Sequence, residues 1–511
     1  MCKKLFGIIP LLILNTSILS AQYFNNFWVF GDSCGIEFNN GSLINFRSSM
    51  KFLRGSASIS NVNGLVAYSA LFNFSLPDNG IVWNKYHQQM QNGNLIYGSG
   101  TYHERLFLPV PDSDSLLYLF SCCVTSSCPF GLYYTLIDLS ANSDSGAIMQ
   151  KNVPLNSAPA FDGLMAVQHG NGKDWWLLYQ RWDGSNGNVG YNNFYVYLID
   201  SSGISLNSQQ YVGQNHSTNA GHLIFSPNGE HFANVSFRDL IQLYNFDRCS
   251  GVISLWETVQ IENVPPINYY YVSSAFSADG SKLYVSENSA VTTAPSKLLQ
   301  FDLQSSPIIN SKTVIHNFVT ATEGIADLKL APDGKIYLAA ADEINSFIYA
   351  DTFYTQVNTH LSVINQPDSL GLACDFQPFS FYLGGARTYY GLPNNPDYEL
   401  GAWVGSPCDT LTVSLSPDPG DPSPSEERGA IMQAWYNHDW NMIHVNASKL
   451  KGNSGSLKLY DLEGRLIYEK KIEVIAGGYV TTEIGMQGIA KGMYIVSLLT
   501  EKDYLSGKVM K

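Results

Sequence analysis

Residues 326–340 read ADLKLAPDGKIYLAA, an apolar run, a Pro-Asp-Gly turn and a second apolar run. Nearly the same sentence occurs as LIFSPNGEHFANVS from Leu223 and as AFSADGSKLYVSE from Ala275. Each copy carries a four-residue turn, at Ser226 to Gly229, Ser277 to Gly280 and Ala331 to Gly334. Proline presets the negative φ of the second turn position, Asp or Asn tolerates the third, and glycine takes the left-handed conformation that lets the next strand leave. The flanks (Leu283, Tyr284, Val285; Ile336, Tyr337, Leu338) are apolar on both faces, as in strands buried between stacked sheets.

The spacing of these hairpins sets the architecture. Gly229 to Gly280 is 51 residues and Gly280 to Gly334 is 54. Working backwards, Gly172 lies 57 residues before Gly229, Asp114 lies 58 before that, and Gly64 a further 50. Strand-only units recurring at this period predict an all-β β-propeller, in which each blade is a four-stranded sheet. A seventh unit is expected from both ends of the region, with Leu361 to Gly385 supplying strands and Asn25 to Phe38 the closing one. Residues 27–392 then divide into seven blades of about 52 residues each, with a six- or eight-bladed ring as the competing count. Closure removes the exposed edges that invite aggregation.

At 511 residues the chain exceeds one ordinary compact domain. Its start, MCKKLFGIIPLLILNTSILSAQ, has a cationic lead, a short apolar stretch and small residues at Ser20 and Ala21, so residues 1–21 are expected to be a secretory signal peptide. That stretch is too short to span a bilayer, and no membrane span is expected in the mature chain. Formal charge is −14, or −16 without Lys3 and Lys4, which repels phosphate backbones and excludes nucleic acid as the expected partner. Beyond Cys2 there are seven cysteines, so at least one stays unpaired within the chain. A disulfide from Cys122 or Cys123 to Cys128 is the first expectation; C-C-x4-C has the wrong spacing for a four-cysteine zinc site, and no histidine lies nearby.

FSPNGEHFANV, FSADGSKLYVS and LAPDGKIYLAA resemble the blade motif of TolB-type, WD-repeat-like propellers. The order FWVFGDSCGIEF, GSASIS, VWNKYHQQMQNG, GLYYTLIDLS, GLMAVQHGNGKDWWLLYQ, LQFDLQSSPIIN, LAPDGKIYLAA, LSVINQPDSLGLACDF and GLPN, over about residues 26–394, resembles an exported propeller family of Bacteroidota. The resemblance carries over no catalytic residue. Where a Thr/Ser-Gln pair is expected before the LFLPVP strand, this chain has Thr101-Tyr102-His103-Glu104.

After Cys408 the composition changes. Residues 409–429, with SLSPDPGDPSPSEERG from Ser414, are Pro-rich and acidic, so they are expected to form an extended linker after a propeller at 22–408. Residues 430–511 have alternating Leu457 and Leu459, a turn from Asp461 to Gly464 and a terminal hairpin, which predicts a small C-terminal β-sandwich. Its ending is similar to the type A C-terminal sorting domain of the type IX secretion system, through Gly464 and Arg465, the Gly492-Met493-Tyr494-Ile495-Val496 strand, and Lys508 to Lys511. The expected upstream Pro-Asn-Pro is here Tyr436-Asn437-His438. The resemblance implies that residues 430–511 engage the type IX machinery, placing the chain outside the cell or on the outer-membrane surface.

No G-x-S-x-G elbow, H-E-x-x-H helix, P-loop or G-x-G-x-x-G on a βαβ unit occurs, and PDSDS at Pro111 is too short for a calcium loop. No catalytic, cofactor or metal residue is therefore expected. A propeller builds ligand sites where innermost strands begin. Counting back from the hairpins gives Arg54, Asp162, His222 and Glu323, with His87 and His169 in loops that join them. The reading that follows is an exported binding or scaffold propeller with an unknown protein or glycan ligand. A secreted hydrolase or lyase using the propeller mouth, and a structural or adhesive surface component, are the alternatives. Convergence of three of those six residues favours the enzyme; dispersal favours binding.

Overall fold

The structure, a computed structural model, describes residues 23–409 and 431–511 apart from interior stretches, the longest being 72–79, 183–191, 261–268 and 343–353. The expected signal segment and nearly all of the expected linker lie outside the described residues. Between Tyr23 and Tyr382 the strands form seven antiparallel sheets in chain order. The first contains Phe27–Phe30, Asp32–Asn39 and Ser42–Lys51. The other six begin with the hairpin strands Ser56–Asn61, Arg105–Pro109, Ala160–Gln168, Gly221–Phe225, Tyr269–Phe276 and Glu323–Leu330. Each of the six hairpins read from the sequence joins such a strand to its antiparallel neighbour. In the three near-identical copies the turn is closed by the glycine N–H donating to the carbonyl of Ser226, Ser277 or Ala331 at 2.8, 3.0 and 2.9 Å. Gly229, Gly280 and Gly334 have φ of 71°, 72° and 77°, the region the turn reserves for glycine.

Because both faces of each sheet are apolar, each must find two neighbours. Trp83 and Tyr68 of the second sheet share a core with Val29 of the first. Ile59, Leu106 and Leu164 join the second, third and fourth sheets into another. Phe161 and Phe232 join the fourth to the fifth, Leu243 and Leu283 the fifth to the sixth, and Tyr284 and Leu338 the sixth to the seventh. The circle returns through Trp28, which packs edge-on against Tyr337 of the seventh sheet at 5.9 Å. The sheets thus form a propeller.

One assembly expectation is corrected. Residues 361–385 were to combine with the N-terminal strand in a shared unit; instead His360–Ile364 and Phe376–Tyr382 complete the sheet begun by Glu323–Leu330. That hairpin lacks two outer strands, and pairing of Ile336 with Ile364 supplies them in register. The N-terminal strands then make a sheet of their own, touched by the returning chain at the Asp32–Arg387 bridge. Gly31 sits there at φ 59°, and a β-carbon on it would lie 2.5 Å from the Arg387 carbonyl oxygen. Gly31→Ala is expected to destabilise the ring by about 1–3 kcal/mol, read from the urea midpoint at unchanged m-value.

Residues 391–403 run lengthwise inside the ring as a strap. Pro393 bridges Ser56 in parallel, Asn394 donates to the carbonyls of His103 (3.3 Å) and Leu164 (2.8 Å), and the Asn395 Oδ1 accepts from Ser58 N–H at 3.0 Å. Further on, Tyr398 donates to Phe107 O, Gly401 N–H to Gln168 Oε1, and Trp403 N–H to Gly170 O. Five residues past the strap, Cys408 is disulfide-bonded to Cys249 of the fifth sheet. A second disulfide joins Cys123 to Cys128, while Cys34, Cys122 and Cys374 are buried thiols.

Beyond the undescribed stretch, Ile431–Asn437, Met442–Ser448 and Val480–Gly485 form one sheet, and Ser454–Tyr460, Leu466–Glu473, Met493–Thr500 and Tyr504–Met510 form another. Both contribute to one core, with Ile443 and Val445 from the first and Leu457, Leu459, Val496 and Leu498 from the second.

Candidate functional site

The inner strands carry polar side chains into the centre of the ring. His103 precedes the third sheet's first strand, His222 is on the fifth sheet's, Ser273 and Ser274 on the sixth's, and Asp327 on the seventh's. The His103 and His222 rings stack 3.9 Å apart at 24°. Asp327 Oδ1 accepts the Ser273 hydroxyl at 2.5 Å, and its Oδ2 accepts Leu392 N–H of the strap at 3.0 Å. His222 Nδ1 accepts Ser274 N–H at 3.0 Å, so the neutral ring carries its proton on Nε2. This hub ties four sheets and the strap together.

Burial sets the charge states. It holds His103 down at about 3, helped by Lys329, and pushes His222 well below the ordinary histidine value, helped by His103. Both rings are therefore neutral near pH 7, and the 3.6 Å from His103 Nε2 to Asp327 Oδ1 is not an ion pair. Burial likewise raises Asp327, although His222 and the Ser273 hydrogen bond oppose it.

Chemically the hub is constrained. A serine nucleophile needs its hydroxyl proton directed at an imidazole base. Here Ser273 Oγ lies 2.5 Å from Asp327 Oδ1 and 3.1 Å from His222 Nδ1 and accepts Leu328 N–H at 3.2 Å, so the nearer carboxylate takes its proton and the serine stands between imidazole and carboxylate. The sequence offered no metal ligands, yet His103, His222 and Asp327 bring donor atoms within 4.8 Å of one another. His222 Nδ1 is already taken by Ser274 N–H, so a cation bound there would have to use the other His222 nitrogen or displace that hydrogen bond.

Beside the hub lies a cavity of about 470 Å³, walled by Met165, Val167, Phe225 and Leu400 and bordered by Lys329, Asp397 and Glu399. Asp397 and Glu399 are exposed, so the cavity reaches solvent. It lies toward the hairpin ends of the inner strands, whereas the sequence expectation placed a site at their beginnings.

The six expected residues are largely dispersed. His222 is in the hub, and Asp162 adjoins it by accepting His103 N–H at 3.2 Å. Arg54 lies over Tyr390 with its guanidinium 5.6 Å from the ring. His87 contacts Tyr68 OH at 3.1 Å, and His169 reaches Cys249 O at 3.1 Å near the disulfide. Glu323 is paired in register with Asp342, but its side chain lies outside the described residues. Sequence reasoning missed His103, Asp327, Lys329 and the strap. Asp327 and Lys329 were visible as polar residues two apart in an apolar strand, hence on one face.

In the tail, Arg465 Nε donates to Asp461 Oδ2 at 2.6 Å, Tyr494 OH to Ala490 O at 2.7 Å, and Lys511 Nζ to Met486 O at 2.6 Å and Ile489 O at 2.5 Å. Lys508 pairs in register with Ile495, and Gly464 lies outside the described residues. Residues 439–511 match the family model of the secretion system C-terminal sorting domain. The match begins just past Tyr436-Asn437-His438, where the expected Pro-Asn-Pro is absent. A sorting domain of this kind implies export through a type IX system and marks a secreted or cell-surface protein. Among the described residues no helix is long and apolar enough to cross a membrane. Among solved structures, the β-propeller domain of Myceliophteria thermophila Cps50 (Swd1) is similar at 10% identity and a TM-score of 0.37, covering 65% of this chain and 96% of that one. So low a score carries no argument, and the fold rests on the strand pairing above. No curated protein matches the chain.

Proposed function

We propose that the chain is an exported binding or scaffold protein: a signal peptide at 1–21, a seven-bladed propeller at 22–408, a linker at 409–429 and a sandwich at 430–511 that addresses it to the type IX machinery. The sorting domain at the end of the chain is the observation that carries this reading. Its cargo, the ring, has its own strap running through it, a cavity beside the hub, and candidate ligand-face residues that are mostly apart. A wall of apolar side chains with a few polar groups suits recognition of a protein or glycan.

Deleting residues 430–511 is expected to leave a folded propeller in the periplasm, followed by fractionation and immunoblotting. Normal arrival of the truncated chain at the surface or in the medium defeats the export reading. A glycan and cell-wall pull-down with residues 22–429, beside a generic esterase and lactonase screen, tests the binding reading. Turnover without retained ligand would instead make the ring an enzyme.

A further inference from the structure

Lys329 is a cation of the cavity that the function above does not use. It sits on the seventh sheet's inner strand, two residues after Asp327 and partly buried. Its ammonium donates to Asn395 O at 3.0 Å and lies 5.7 Å from the Trp28 ring. Among the described residues no carboxylate comes within 4.0 Å of it. An amine held by one carbonyl in a solvent-reaching, largely apolar cavity has donor capacity and room for a ligand. Asp397 and Glu399 at the rim, on a chain of net charge −14, disfavour an anion as that ligand.

We propose that Lys329 is a nucleophilic lysine that captures a neutral, carbonyl-bearing small ligand in this cavity as an imine. The neutral Nζ adds to the carbonyl carbon to give a carbinolamine. The nitrogen's two protons leave with the former carbonyl oxygen as water, a C=N bond replaces C=O, and no oxidant or reductant is needed. Burial lowers the amine to about 8 against the pull of Asp327 and Asp397, which raises its neutral fraction near pH 7 about 300-fold over an ordinary lysine at 10.5.

The mature full-length protein is treated with glycolaldehyde and cyanoborohydride, which fixes imines as secondary amines, and labelled lysines are mapped by peptide mass. Lys329 is expected to label more than about 10-fold faster than the exposed lysines near pH 7, since lower basicity offsets part of the population advantage. Its rate should level off above about pH 8, and Lys329→Arg should abolish that label alone. Uniform labelling, or an unlabelled Lys329, overturns the proposal. If the arginine variant misfolds, the wild-type site map and pH profile decide it. The proposal shares its cavity with the binding reading, but labelling is read without any glycan or cell wall, so either can fail while the other stands.

Discussion

Lowering the pH from about 7.5 to about 4.5 is expected to destabilise the ring by about 2.5 kcal/mol through His103, with His222 adding to the loss in the same direction. The folded hub keeps both rings neutral, His103 down to about 3, whereas an unfolded histidine takes its proton near 6.5. Below 6.5 the unfolded chain therefore binds more protons than the folded one, so stability is full above that pH and falls as the pH drops, by about 1.4 kcal/mol per pH unit for His103. His87 and His316 are also depressed by burial and act with the same sign. Asp327 opposes them: its raised value lets the folded state take a proton before an unfolded carboxyl at 3.8 does. Urea unfolding of wild type, His103→Gln and His222→Gln across this range checks the prediction, each substitution making the slope shallower. A wild-type stability that does not change between the two pH values would contradict neutral buried rings.

The hub explains how far the sequence could be read. Hairpins at Gly229, Gly280 and Gly334 were legible because turn chemistry is local: a proline, an Asx and a glycine fix the chain whatever surrounds them. The position of each hairpin within its sheet followed from the period. The assembly of the last two sheets was not legible, because which strand pairs with Ile336 depends on what is left unpaired at closure, a property of the whole ring. For the site, counting back from hairpins found strand beginnings such as Asp162 but could not foresee that the chain after Gly391 returns through the middle. The strap places Leu392 on Asp327 and Asn395 on Lys329, and those contacts span 65 and 66 residues. His103 stood in view only as a departure from an expected Thr/Ser-Gln pair.

Removing the Cys249–Cys408 disulfide is expected to cost far more than removing Cys123–Cys128. The first closes a separation of 159 residues and the second one of 5. Chain-entropy estimates give about 5 kcal/mol for the long loop and about 2 kcal/mol for the short one, as upper figures. Cys249→Ser with Cys408→Ser should lower the urea midpoint more than Cys123→Ser with Cys128→Ser, and equal effects would contradict it. The structural consequence is specific. Once Cys408 is free, the strap is held by separate hydrogen bonds at Asn394, Tyr398, Gly401 and Trp403, each worth about 1 kcal/mol net. Amide exchange should therefore accelerate first at Gly401 and Trp403, next to the cut end, and last at Leu392, whose N–H is locked onto Asp327.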